Sequence, residues 1–300
     1  MGENRGIFLI LMVFMASIQL GCNPTTTDGL PTPTPVPTAT PGPTSTPGPT
    51  ATPFLGFDGS ASIPNPPNGA VDIRNIQKLT GWKGLTGAAS QCPGGVASST
   101  CNPLNANFNA TVMHPADPLT LVGSSGTTGE FQFYQSPGYA TAIWGHSVGT
   151  YLSARNFIWD FYVYVDSVNF GNAELDLYTS LNNGQRFMMG SQCDRSNNSW
   201  DTWNESTQKW IKNTSVPCKS VLPVQKWAHA TFYNTVDSSN NTYTYHTLRI
   251  DGIDYNLNQE EPTTHVGWPD GLIGVQVQLD ADSNGDPVNE YIENMSIYAW

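Results

Sequence analysis

Over the second two-thirds of the chain, apolar and polar residues alternate in short runs, each bounded by Gly, Asn, Asp or Pro. The runs are Gly129–Tyr134, Tyr139–Trp144, Phe157–Asp166, Ala173–Ser180, Gln185–Gln192, Trp227–Tyr233, Thr242–Ile250, Gly274–Asp280 and Tyr291–Ala299. A period of two is that of a strand buried on one face. No window keeps apolar residues at i, i+3, i+4 and i+7 for three turns, so helices and parallel α/β architectures are not expected. Phe157–Asp166 carries aromatic and β-branched residues on both faces, as a central strand of a two-layer sandwich requires. Asn182-Asn183-Gly184 predicts a turn, and Asp251-Gly252, between Tyr245–Ile250 and Ile253–Leu257, predicts a hairpin.

The first 53 residues follow none of this pattern. Ile7–Leu20 is a continuous apolar run too short for a stable spanning helix, which reads as a signal peptide. Its end, Ile18-Gln19-Leu20-Gly21-Cys22, resembles the bacterial lipoprotein signal, with Gln19 where that pattern prefers an aliphatic residue. The resemblance implies lipidation of Cys22, and hence an exported protein on the outer surface or facing the periplasm. Residues 23–53 contain 11 Thr and 10 Pro in 31 positions. Proline at this density fixes φ and removes donors, so the segment is expected to be an extended spacer, able to hold a domain about 100 Å from its anchor. The organisation expected is therefore signal peptide 1–22, linker 23–53, lead-in 54–70 and one domain over 71–300.

Charge narrows the partners. Without Glu3, Arg5 and Asp28, residues 54–300 hold 11 cationic and 22 acidic side chains, a net charge of −11. Eleven scattered cations make no basic patch, which excludes nucleic acid and leaves the lipid anchor as the only expected membrane contact. Beyond Cys22 there are four cysteines, an even number in a chain bound for an oxidising space. The simplest pairing is Cys92–Cys101 and Cys193–Cys218, the second closing a tryptophan-bearing excursion; a zinc site is disfavoured because no CxxC pair occurs.

Lys226-Trp227-Ala228-His229-Ala230-Thr231-Phe232-Tyr233, followed by Tyr245-His246-Thr247-Leu248-Arg249-Ile250-Asp251-Gly252, resembles the W-x-H strand and Asp-Gly-ended strand of concanavalin A-like and laminin G-like jelly rolls. With the closing strand Ile292–Tyr298, the resemblance covers about Val71–Trp300. It implies an all-β, two-sheet antiparallel jelly-roll sandwich in which Trp227 and His229 serve packing. The class spans lectins, glucanases, lyases and adhesion domains, so it says little about activity.

Four stretches could carry chemistry. Glu174 and Asp176, at i and i+2 of Ala173–Thr179, project from one face of a strand. They resemble the E-x-D-x-x-E strand of family 16 glycoside hydrolases, whose first Glu is nucleophile and last Glu the acid/base. Here the last position falls on Tyr178 or Thr179, neither of which can be that acid at neutral pH. Gly145-His146-Ser147-Val148-Gly149 matches a nucleophile elbow, with His229, His246 and His265 downstream, but lacks the strand-to-helix context and reads as a loop. Asp280, Asp282, Asn284 and Asp286 alternate as the start of a calcium loop, with Tyr291 at the twelfth position, leaving a smaller Ca2+ site or a bare turn. Ser199–Trp210 brings Trp200, Trp203 and Trp210 among amides and carboxylates, the mixture sugar recognition uses; packing of at least two of the three is the competing use. Six N-x-S/T triplets, at Asn109, Asn197, Asn204, Asn213, Asn240 and Asn294, follow from composition and imply nothing about glycosylation.

The sequence thus predicts a monomeric, lipid-anchored surface protein that recognises an extracellular polysaccharide without cleaving it, through Glu174, Asp176, Trp200 and Trp203, with no cofactor beyond the Ca2+ just weighed. The alternatives are a polysaccharide hydrolase or lyase using Glu174 and Asp176, and an adhesion or scaffold domain without a ligand.

Overall fold

The computed structural model describes residues 59–79, 82–84, 106–113, 127–133, 141–151, 153–181, 184–263 and 272–300. The signal peptide, Cys22, the Thr/Pro linker, the Cys92–Cys101 pairing and His265 lie outside the described residues. Among the described residues, fifteen strands run in the order β1 Val71–Ile73, β2 Lys83–Gly84, β3 Ala106–Met113, β4 Thr127–Phe133, β5 Thr141–Thr150, β6 Asn156–Val165, β7 Phe170–Ser180, β8 Arg186–Asp194, β9 Ser199–Asn204, β10 Lys209–Asn213, β11 Ala228–Asp237, β12 Thr242–Ile250, β13 Ile253–Pro262, β14 Leu272–Ala281 and β15 Val288–Ala299. Among the described residues helix is confined to a 3-10 turn at Ile76–Lys78 and a single α turn, α1, at Cys218–Val221.

The strands pair antiparallel in two sheets. Sheet A has the order β13-β12-β11-β6-β15-β4-β3, with β1 added to β15; sheet B has the order β10-β9-β8-β7-β14-β5-β2. This is the two-sheet antiparallel sandwich that the alternation predicts, with β6 in the interior of its sheet as the apolar residues on both its faces require. One face of β6 gives Phe157, Trp159, Phe161, Val163 and Val165 to the core, where they meet Leu175, Leu177, Val275, Val277 and Leu279 of sheet B. Its other face carries Ile158, which packs with Ile63 and Tyr298 in a second, small cluster.

Turn chemistry sets the register of the hairpins. Asp251 and Gly252 both have positive φ, 49° and 80°, the type I′ pattern whose twist matches the flanking strands, and they join β12 to β13 with Ile250 opposite Ile253. Two tyrosines of β12 tie the sheets together through buried hydrogen bonds. Tyr245 Oη donates to the Gly190 carbonyl at 2.9 Å, and Tyr243 Oη to the Trp203 carbonyl at 3.0 Å.

Cys193 on β8 is bonded to Cys218 on α1, with Cα atoms 5.1 Å apart and a separation of 25 positions in sequence. The bridge closes the β9–β10 excursion, as its cysteine spacing predicts. Cross-linking a loop of this length removes unfolded-state entropy worth about 3 kcal/mol. Replacing both cysteines by Ala is therefore expected to lower the melting temperature by about 6–12 °C. An unchanged melt of the double variant would show that the bridge adds nothing to stability.

Candidate functional site

Alternation along β7 sends Ala173, Leu175 and Leu177 into the core and leaves Glu174, Asp176 and Tyr178 on the outer face of sheet B. Register extends that face sideways. Gln278 of β14 and Gln192 of β8 flank Glu174, Gln276 and Gly190 flank Asp176, and Asp201 of β9 lies beyond Gln192. Although they point away from the core, Glu174 and Asp176 are only 3% and 0% exposed. They form a floor beneath their neighbours.

Burial is costly for charge, and it shows in the acids. Burial, reinforced by the nearby Asp176 and Asp280 carboxylates, pushes Glu174 well above the ordinary carboxylate range. Burial likewise raises Asp176, Asp201 and Asp280. Burial of two neighbouring carboxyls favours the protonated form of each over the charged one.

The hydrogen bonds on this face are incomplete in a specific place. Asp280 is well served, accepting from Thr141 Oγ1 at 2.7 Å, Gln278 Nε2 at 3.1 Å and Asn172 Nδ2 at 3.1 Å. Asp176 accepts from Gln276 Nε2 at 2.8 Å through Oδ2, while its Oδ1 has no hydrogen-bond partner. Gln192 gives Nε2 to Asp201 Oδ2 at 3.3 Å, and its Oε1 is also unpartnered. Buried acceptors are rarely left so. Gly190 lets Asp176 and Trp203 approach closely, because a Cβ there would stand 2.9 Å from Asp176 Oδ1 and 3.1 Å from Trp203 Cβ. Gly274 plays the same part for Tyr178, whose ring occupies the place its Cβ would take.

The three tryptophans divide between core and face. Trp203 lies on the outer face, 2% exposed, 5.2 Å from the half-buried Trp210, its register partner on β10. Trp200, predicted as a ligand contact, points the other way: it is buried in the core 6.0 Å from Phe232 of sheet A, with its indole N–H on Ser191 Oγ. The correction follows from the strand period, since Trp200 and Trp203 are an odd number of positions apart.

One further expectation changes. Residues 145–149 lie within β5, paired to β14, rather than in a loop. Ser147 lies on the sheet B side, whereas His229 and His246 are on the outer face of sheet A, so no triad can form from them. Two of the oxygens weighed for calcium have protein partners. Asp280 is committed to the strand contacts above, and Asp282 Oδ1 accepts the N–H groups of Asn284 and Gly285 at 2.8 and 3.0 Å, an Asp-closed turn. No group of three or more His, Cys, Asp or Glu placed to hold a metal ion occurs among the described residues.

His229 is not a core residue. On the outer face of sheet A it stacks on Tyr162 with ring centroids 4.3 Å apart and bonds through Nε2 to the fully buried Asp160 at 2.9 Å; Thr231 Oγ1 donates to the same oxygen at 2.5 Å. Trp227 does pack, 5.5 Å from Tyr164.

No protein-family model and no curated protein sequence matches the chain. Solved structures do resemble it. Arcelin-5, a lectin-like defence protein from Phaseolus vulgaris, is similar over 77% of this chain and 98% of its own, at 10% identity and TM-score 0.43. The Lotus tetragonolobus seed lectin is similar over 65% and 93%, at 15% identity and TM-score 0.38, and lectin I-B4 of Griffonia simplicifolia over 59% and 89%, at 12% and 0.36. The structural neighbours are legume lectins and related concanavalin A-like jelly rolls, the class that the W-x-H and Asp-Gly strands imply.

Sequence reasoning missed Gln192, Gln276, Gln278 and Asp201 as companions of the acidic pair. Gly274-Val275-Gln276-Val277-Gln278-Leu279-Asp280 shows the right alternation, but only the pairing of β14 and β8 with β7 puts those amides beside Glu174 and Asp176.

Proposed function

We propose that the outer face of sheet B recognises extracellular carbohydrate without cleaving it. The observation that carries this reading is the pair of unsatisfied buried acceptors, Asp176 Oδ1 and Gln192 Oε1, beside Glu174 and the rings of Tyr178, Trp203 and Trp210. Sugar hydroxyls supply O–H donors and acceptors together, and pyranose faces sit on aromatic rings. A binding role is favoured over hydrolysis because the position that the acid/base Glu of a retaining hydrolase would take falls here on Tyr178 or Thr179, neither of them a carboxyl. Export, lipidation of Cys22 and the Thr/Pro spacer belong to the same proposal and rest on the sequence alone.

The test is retention of the full chain on a glycan array, followed by Gly190→Ala. The added methyl would press on Asp176 Oδ1 and Trp203 Cβ, and a tenfold or greater loss of affinity, about 1.4 kcal/mol, is expected with the melt little changed. Reducing ends or unsaturated products that disappear in Glu174→Gln would establish an enzyme instead. If no glycan is retained, the face is a scaffold surface.

A further inference from the structure

Taking the sheet B face as a carbohydrate site, we propose that its ligand is an amino sugar bearing a free ammonium group, such as a glucosamine-containing glycan, rather than a neutral or acidic one. Glu174, Asp176, Asp194 and Asp201 are each less than one-tenth exposed, and all lie on this face with Asp280. Among the described residues, two cations face them. Arg186 is paired with Glu205 at 2.9 Å and also draws Asp176 down through its charge, and Lys212, exposed at the edge opposite Asp201, draws that group down. Five acids against two cations leave buried carboxyls short of positive charge, and a group bringing both charge and several N–H donors offsets that cost.

The unsatisfied atoms match that chemistry. Asp176 Oδ1 and Gln192 Oε1 are both acceptors, so the ligand must donate to both. An ammonium group donates three hydrogens and accepts none. A uronic acid or sulfated sugar would instead add anions to a face already rich in them. Gly190 leaves the Oδ1 side of Asp176 unobstructed by a side chain of its own. The arrival of a cation favours the ionised form of carboxyls that burial has raised, so binding releases protons.

The experiment is isothermal titration of the full chain with glucosamine hexamer, its N-acetylated form, cellohexaose and an oligolysine of equal charge, at about 0.15 M salt and in buffers of different ionisation enthalpy. The glucosamine hexamer is expected to bind at least tenfold more tightly than cellohexaose, with proton release that the neutral sugars lack. Asp176→Asn should bring the preference to within about twofold, and Asp201→Asn serves if that variant fails to fold. Asp237→Asn, an exposed acid remote from this face, should leave it intact. Equal or tighter binding of cellohexaose would overturn the inference and leave carbohydrate recognition standing. Equal binding of oligolysine, or a preference that survives Asp176→Asn, would show attraction by overall charge and also overturn it. Binding of none of the sugars would remove both readings.

Discussion

The stability of the domain is expected to fall by about 5 kcal/mol between pH 4.5 and pH 8 on account of one residue, Glu290, and Glu290→Gln is expected to abolish that component. Glu290 is fully buried on β15, in register with Phe131 and Val165 and between the core residues Val288 and Ile292. Neither carboxyl oxygen has a hydrogen-bond partner. Burial alone pushes the group from 4.5 up to about 8. Over that window the folded chain holds a proton that the unfolded chain has released, so stability is fully present below pH 4.5 and is lost as pH rises to about 8, at about 1.4 kcal/mol per unit. Glu174 and Asp280, also raised by burial, tilt the profile the same way. The contribution of Glu290 is therefore the difference between wild type and variant, measured by urea unfolding at pH 5 and pH 8. Gln leaves an unpaired amide, a constant cost of about 1–3 kcal/mol that cancels from the pH dependence. A stability difference identical at the two pH values would mean that Glu290 is ionised and solvated in the folded protein.

Glu290 also illustrates where the sequence stops being legible. The alternation in Tyr291–Ala299 identifies a strand, but not which face is which. Asn294, with φ of 55°, carries a bulge that shifts the register between Glu293 and Ser296. Val288, Glu290 and Ile292 therefore share the inner face with Met295, Ile297 and Ala299, and strict alternation would put the two sets on opposite sides. Period and turn chemistry are local, which is why the strands of both sheets, the Asp251-Gly252 turn and the Cys193–Cys218 closure can be read from the chain. β1 and β2 are too short to show a period, and β3 is missing from the runs although Ala106, Phe108, Ala110 and Val112 alternate with polar residues. Nor could the candidate face be assembled from sequence: the i, i+2 rule aligns Glu174 with Asp176, but the amides around them come from other strands, Gln276 lying 100 residues from Asp176. His229 does pack, on the Tyr162 ring, but its bond to Asp160, 69 residues earlier, is hidden for the same reason.

The same parity argument gives the second large effect. Trp200→Ala is expected to destabilise the domain by about 3–5 kcal/mol, the range for deleting a large buried aromatic ring. The indole bridges the sheets, rising from β9 to the Phe232 ring, which in turn packs against Trp159 and Phe161 at 5.8 and 5.9 Å. Truncation leaves a cavity lined by those rings and frees Ser191 Oγ, a buried hydroxyl, from its indole donor. Trp210→Ala, on the half-buried edge strand, should cost about 1 kcal/mol or less in urea unfolding while weakening any ligand that stacks on the outer face. The two tryptophans, ten residues apart, are thus expected to separate stability from binding. A Trp200→Ala variant that melted normally but lost glycan affinity would place its ring on the ligand side of the sheet and would reverse the assignment of the faces on β9.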